Sequence, residues 1–259
     1  MIDIDNSRVR DEEEVLTDPI EYFQNKFKDC SIFRFVLSHP DMDHMSGLDE
    51  LASKVPILNF WDTDHTKTIS QKDWEGSPYN PKDWERYLKF RESSEMPKCL
   101  KLRRNETSEC CWIQDGIRIL SPSSSLIKLS VDADEKDAQK CHHLSYVLRI
   151  DYAGVKILLG GDASVNVWED LFKEYGPETL KSDIFLAPHH GSKENIHPEA
   201  FKAINPDFVI VSVAKGVEYD YDFYKQLAKK RVLSTKANGT IQIEVKENGQ
   251  YSITVDKNP

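Results

Sequence analysis

Four side chains with metal-binding chemistry, His39, Asp41, Asp43 and His44, fall within six consecutive positions of the stretch FRFVLSHPDMDHMSGL, residues 33–48. The apolar residues up to Leu37 read as a buried strand. Met45, Ser46, Gly47 and Leu48 follow, and residues 49–54 can start a helix. The four side chains therefore belong on a tight loop at the C-terminal edge of a strand. An uncompensated carboxylate in an apolar site costs several kcal/mol, so two imidazoles and two carboxylates this close together point to a shared divalent cation.

Two later stretches have similar character: LLGGDAS at residues 158–164 and APHHGS at residues 187–192. Together the three resemble, in order, the metallo-β-lactamase superfamily. Its second motif is usually written His-x-His-x-Asp-His. Here it reads His39-x-Asp41-x-Asp43-His44, with a carboxylate at the second ligand, which is similar to the hydrolase domain of ComEC-type competence proteins and their free-standing relatives. The resemblance implies an α/β fold, the αββα sandwich of two mixed β-sheets with outer helices, over a single domain of residues 1–259. The strands that precede the family's Ile-Asp segment, with their Gly-Asp turn, have no counterpart before residues 1–7. The chain is read as an N-terminally shortened form; the alternative is that a partner chain or a preceding segment supplies that edge.

The ligand set comes from the same resemblance. A two-metal site needs about seven or eight ligand atoms and a bridging water. His39 and Asp41 would hold the first ion, Asp43 and His44 the second, and Asp162, after Gly160 and Gly161, would bridge them. His142 or His143 would complete the first ion's set, with His142 preferred by its alignment. His190 is taken as the last ligand of the second ion, leaving His189 to contact substrate or orient the leaving group, though the two can exchange roles. Asp43 could take a proton from the bridging water. Ser192 could hydrogen-bond a phosphate oxygen or cap a helix. Six of the eight histidines fall in three short segments, as the pairs His39 and His44, His142 and His143, and His189 and His190; His197 is read as a helix-start residue. Carboxylate at position 41 shifts the donor set toward oxygen, so zinc and manganese both fit.

Oxygen-rich two-metal sites suit phosphoryl transfer. The expected activity is a metal-dependent phosphodiesterase or nuclease in which a metal-bridging hydroxide attacks phosphorus. The alternatives are a C–N or thioester hydrolase of the β-lactamase or glyoxalase II type, and a subunit completed by a protein partner at the N-terminal edge. The net charge of −10 argues against a general grip on polyanions. Two basic segments leave a local one open: Lys98, Lys101, Arg103 and Arg104, and then Lys225, Lys229, Lys230 and Arg231 on an expected helix of residues 221–232.

No apolar run approaches the ~20 residues that span a bilayer and no signal-peptide core is present, so a cytoplasmic location is the default expectation. Cys30, Cys99, Cys110, Cys111 and Cys141 are odd in number and without CxxC spacing, so reduced thiols are expected. Cys141 is read as a small buried hydrophobe. Asp18 and Pro19 should open a helix to about Phe27, with Ile20, Phe23 and Phe27 inward. Residues 62–105 form a polar insertion with no motif. Its Trp74, Tyr79, Trp84 and Tyr87 are assigned to packing rather than base stacking, and His65 to the surface. Further strands are expected at residues 57–61, 110–114, 117–120, 144–152, 155–159, 183–187, 208–213, 232–234, 240–245 and 251–255, the last four closing the second sheet. Helices are expected at residues 165–175 and 198–204.

Overall fold

A proline at the first helical position and an aspartate before it start α1, Pro19–Lys26, with the Asp18 carboxylate accepting from the backbone N–H groups of Ile20 and Glu21. The computed structural model to which this helix belongs describes residues 1–7, 16–106, 114–134, 137 and 139–257. It is a mixed α/β chain that divides into two compact units, Met1–Leu102 and Arg103–Pro259. The sequence reading drew no boundary there. Among the described residues no helix is long and apolar enough to cross a membrane.

In the first unit β1, Ile4–Asp5, precedes α1, and β2, Ile32–Val36, follows it. The chain then forms β3, Met45–Ser46; α2, Leu48–Lys54; β4, Ile57–Asp62; α3, Pro81–Arg91; and β5, Lys98–Lys101. Strands β2, β4 and β5 pair in that order, all parallel, while β1 pairs with β3. Phe35 and Phe60 stack in the core, with Tyr87 and Phe90 of α3 tilted against Phe60. The expected polar insertion therefore supplies a core helix and an edge strand. Trp84 and Tyr87 are buried, and Trp74 and Tyr79 pack against the same core. Phe27 departs from expectation, lying just past the end of α1 and 46% exposed.

The second unit runs β6, Ile117–Ser121; α4, Ser124–Asp132; β7, Val147–Tyr152; β8, Val155–Leu159; and α5, Val165–Leu180. It continues with β9, Ile184–Leu186; α6, Pro198–Ile204; β10, Phe208–Val211; α7, Tyr221–Leu227; β11, Arg231–Ser234; and α8, Thr235–Asn238. The last strands are β12, Ile241–Val245, and β13, Tyr251–Val255. Six strands form one mixed sheet in the order β11-β10-β9-β8-β7-β6, parallel from β8 to β11 and antiparallel from β6 to β8. Alternation along β10 sends Val209 and Val211 into the core with Trp168 and Phe201, and Ile210 to the opposite face.

That opposite face corrects the expected ending. Strands β12 and β13 do not join the large sheet; they pair only with each other among the described residues. Ile241, Ile243 and Val245 alternate with polar Gln242 and Glu244, and their side packs against Ile184, Ile210 and Leu233. The expected helix of residues 221–232 also stops early, at Leu227. Lys229 and Lys230 donate their backbone N–H groups to Pro206 and Asp207 carbonyls at 3.0 and 2.9 Å, turning the chain into β11. Helix α5 continues past Tyr175 through a kink at Gly176 and Pro177. Strand β7 begins at Val147, since residues 142–144 form a single tight turn. The strand expected at residues 110–114 lies almost wholly outside the described residues, as do residues 8–15 of the expected N-terminal loop.

Helix α3 also holds the exit of the histidine loop. The buried Asp83 carboxylate accepts from Gly47 N–H at 3.0 Å and Asp49 N–H at 2.9 Å, capping α2 from a distance in sequence. Gly47 itself has φ +94°, and a Cβ there would meet the Asn6 side chain at 2.6 Å. Replacing Asp83 with Ala leaves two N–H groups without their acceptor. Chemical denaturation should show a loss of about 1–3 kcal/mol.

Candidate metal centre

In the first unit the polar residues follow directly on β2. Ser38 N–H donates to Asp3 Oδ1 at 2.7 Å, and the Ser38 hydroxyl lies 3.0 Å from His39 Nδ1 and 3.3 Å from His44 Nδ1. Asp3 sits at φ +52° and reaches His44 Nδ1 with its other oxygen at 2.9 Å. A carboxylate only accepts, so in the neutral ring Nδ1 of His44 carries the proton and Nε2 presents a lone pair. That Nε2 faces Asp43 Oδ2 at 3.7 Å. His39 Nε2 faces Asp41 Oδ2 at 3.3 Å, and the two imidazole rings are 4.2 Å apart. His39 is fully buried and His44 nearly so.

In the second unit two adjacent parallel strands set the geometry. Leu159 of β8 is in register with Leu186 of β9. Asp162 comes three residues after the one, and His189 three residues after the other. The two turns are stitched together: Gly160 N–H donates to Leu186 carbonyl at 3.1 Å and His189 N–H to Gly161 carbonyl at 3.0 Å. Gly160 is required by this approach, because a Cβ there would meet Leu186 O at 2.9 Å. His189, His190 and Gly191 follow with φ of +48°, +54° and +81°. Two consecutive non-glycine residues in the left-handed region are costly, a kind of strain that concentrates at functional sites.

Each of these histidines is oriented from behind. Asn195 donates Nδ2–H to the Ala163 carbonyl at 2.9 Å, which turns its Oδ1 toward His189 Nδ1 at 2.7 Å. His190 Nδ1 lies 2.8 Å from the Ser212 carbonyl. Both partners only accept, so both rings carry the proton on Nδ1 and aim a lone pair from Nε2. The Nε2 atoms lie 4.0 Å (His189) and 3.8 Å (His190) from Asp162 Oδ2. The Ser145 hydroxyl accepts from Asp162 N–H at 2.9 Å. The His142 ring is 4.6 Å from that of His189, and one ligand atom from each of His142, Asp162 and His189 lies within 4.8 Å of the others. His143 faces elsewhere, with Nδ1 2.7 Å from the Ser164 hydroxyl; burial lowers its pKa.

Lone pairs facing carboxylate oxygens at 3.7–4.0 Å are too far apart to hydrogen-bond and repel one another. One cation resolves the repulsion, since metal–ligand distances of about 2.0–2.2 Å let an ion span two atoms up to roughly 4 Å apart. The donor set fits a divalent metal on these grounds. Within the second unit His142, Asp162 and His189 form a metal-competent group and His190 faces Asp162, while in the first unit His39 faces Asp41 and His44 faces Asp43. His189 stands with His142 and Asp162 as closely as His190 does with Asp162, so neither histidine is singled out as the ligand.

No protein-family model matches this chain, and no curated protein sequence matches it.

Other expectations change. His65 is not on the surface: its side chain is 3% exposed, it contacts Tyr87 Oη, and burial together with the nearby Arg91 lowers its pKa to about 3. Several residues of the basic segments are paired with carboxylates. Arg104 pairs with Asp170 and donates to the Leu120 carbonyl at 2.8 Å, while Lys230 and Lys229 lie 2.7 and 3.9 Å from Asp207. Ser192 caps a short turn, accepting from Glu194 N–H. Cys141 is half-buried.

Asp3, Ser38, Ser145 and Asn195 escaped the sequence reading. Ser38 adjoins His39 and Asn195 lies six residues past His189, spacings short enough to have signalled them, whereas Asp3 and Ser145 act across 41 and 17 residues of chain. If Asp3 fixes the tautomer of His44, Asp3→Ala should weaken zinc binding by about 10- to 100-fold. Competition with a chromophoric chelator checks this, with Asp3→Asn expected to retain most of the affinity because its carbonyl still accepts from Nδ1.

Proposed function

We propose that this chain is a two-metal-dependent hydrolase whose substrate is a phosphodiester. The observation that carries the reading is the set of imidazoles held in the Nδ1–H form with Nε2 turned to carboxylate oxygens at His44, His189 and His190. A merely structural histidine has no need of a partner that faces lone pair to lone pair. The residues that would hold the ions are His39, Asp41, Asp43 and His44 of the first unit and His142, Asp162 and one of His189 and His190 of the second. When bound, divalent ions would supply Lewis-acid charge and lower the pKa of water toward neutrality. The resemblance to the metallo-β-lactamase superfamily supports the finer fold reading, the αββα sandwich, and the choice of zinc or manganese.

The chain's own residues divide the remaining work. Asp43, with its side chain 36% exposed, is the carboxylate most open to a proton from solvent-derived nucleophile. Whichever of His189 and His190 does not ligate can donate to the departing oxygen once protonated. The carboxylates at positions 41, 43 and 162 make the donor set richer in oxygen than an all-imidazole site, which favours phosphoryl over acyl chemistry.

Elemental analysis of the purified protein should find close to two divalent ions per chain. Asp162→Ala should lose much of that metal; full metal in the variant would remove Asp162 from the ligand set. Loaded with manganese or zinc, the protein should cleave bis-p-nitrophenyl phosphate and leave nitrocefin and S-lactoylglutathione essentially untouched. Turnover of either of the latter two in place of the phosphodiester would establish the C–N or thioester hydrolase instead, and metal binding without turnover of any would point to a non-catalytic subunit.

A further inference from the structure

Strands β2 and β4 are parallel neighbours, with Val36 opposite Trp61, so the segments that leave their C-terminal ends emerge side by side. One carries Asp41. The other, residues 63–70, has no regular secondary structure and carries Lys67, whose Nζ donates to Asp41 Oδ1. Asp41 turns its other oxygen to His39 Nε2. The ammonium is therefore one carboxylate away from the position a metal would take between His39 and Asp41.

A buried network fixes where Lys67 starts from. Its backbone N–H donates to His65 Nδ1 at 3.0 Å, and the other ring nitrogen, Nε2, contacts Tyr87 Oη and Arg91 Nη1. Tyr87 in turn donates to Asp62 Oδ1 at 2.9 Å, and Arg91 lies 3.1 Å from Asp62 Oδ2 while donating to the His65 carbonyl at 2.9 Å. Buried polar groups of this kind are costly unless fully satisfied, and when satisfied they hold one geometry. What they hold here is a segment whose outward product is a single lysine.

We infer that Lys67 binds the anionic oxygen of the substrate and so selects a phosphodiester over a neutral amide or thioester, an inference that rests on the hydrolase reading above. An ammonium has three donors, of which Asp41 takes one. The Lys67 side chain is 27% exposed, so the remaining donors are within reach of a solute. A phosphodiester brings a full negative charge to that point, whereas an amide or thioester brings none. Charge-assisted contacts of this type are stronger than neutral ones.

The test compares wild type, Lys67→Ala, Lys67→Gln and Lys67→Arg, each loaded with manganese. Three quantities are measured: manganese affinity, the Kd for inorganic phosphate by calorimetry, and KM and kcat for bis-p-nitrophenyl phosphate. In the Ala and Gln variants the phosphate Kd and KM should rise roughly 10- to 100-fold, with manganese affinity and kcat within about threefold of wild type. Arg should restore most of the loss. Unchanged phosphate affinity in both neutral variants overturns the inference, as does a fall in manganese affinity with phosphate affinity intact, which would make Lys67 a support for Asp41 alone. A wild type that binds manganese and phosphate through Lys67 yet cleaves no phosphodiester refutes the hydrolase reading and leaves the anion site standing.

Discussion

An imidazole whose Nδ1–H is committed to an oxygen that can only accept has a lone pair left on Nε2, and two lone pairs placed face to face repel. His44 against Asp43, and His189 and His190 against Asp162, all meet this condition. The chain reaches it through unfavourable backbone, with Asp3, His189 and His190 in the left-handed region. Strain of order 1–3 kcal/mol per residue persists only where the surroundings over-determine it. Here the over-determining contacts are the ones that fix the tautomers, so strain and orientation have one cause.

The apolar framework makes those contacts affordable by ending strands together. In the second unit β8 and β9 share register, and the Gly160 approach to Leu186 lets their loops touch backbone to backbone. Aromatic packing of Trp168 with Phe185 and Phe201 holds β9 against its flanking helices. In the first unit α3 has two roles. Its Tyr87 and Phe90 fill the core beside Phe60, and its Asp83 and Arg91 reach the polar ends of the strands. Side chains on one helix thus connect the core with the histidine loop at Gly47 and with the Lys67 segment at His65.

Much of this was legible where the determinants are local. The run before Leu37, the Asp18-Pro19 start of α1, strand β8 and helix α6 all rest on neighbours within a few residues, and each forms where its residues indicate. The clustered His and Asp residues announced themselves for the same reason. What a single sequence does not carry is pairing across distance. Asp3 acts on a residue 41 positions away, and nothing near it marks that role. His65 was assigned to solvent because it lacks a ligand-spaced neighbour, yet Tyr87 and Arg91, 22 and 26 residues on, enclose it. Alternation in β12 and β13 signalled strands but not which sheet would hold them.

On the proposed hydrolase reading, charge favours a small molecule over a polymer as the substrate. A nucleic-acid track needs several cations free to displace counterions, and affinity then falls steeply with salt. Arg104 is instead 11% exposed and held by Asp170, and one carboxylate, Asp207, draws in both Lys229 and Lys230. These pairs hold their own unit together, Arg104 lying also over the Tyr175 ring. With a net charge of −10, the long-range field repels a polyanion before any contact forms. A substrate with one phosphodiester feels less of that field and can be met by a single ammonium. On that reading Lys67, carried on a segment whose backbone is fixed by buried side chains, is a cation whose surroundings suit the task.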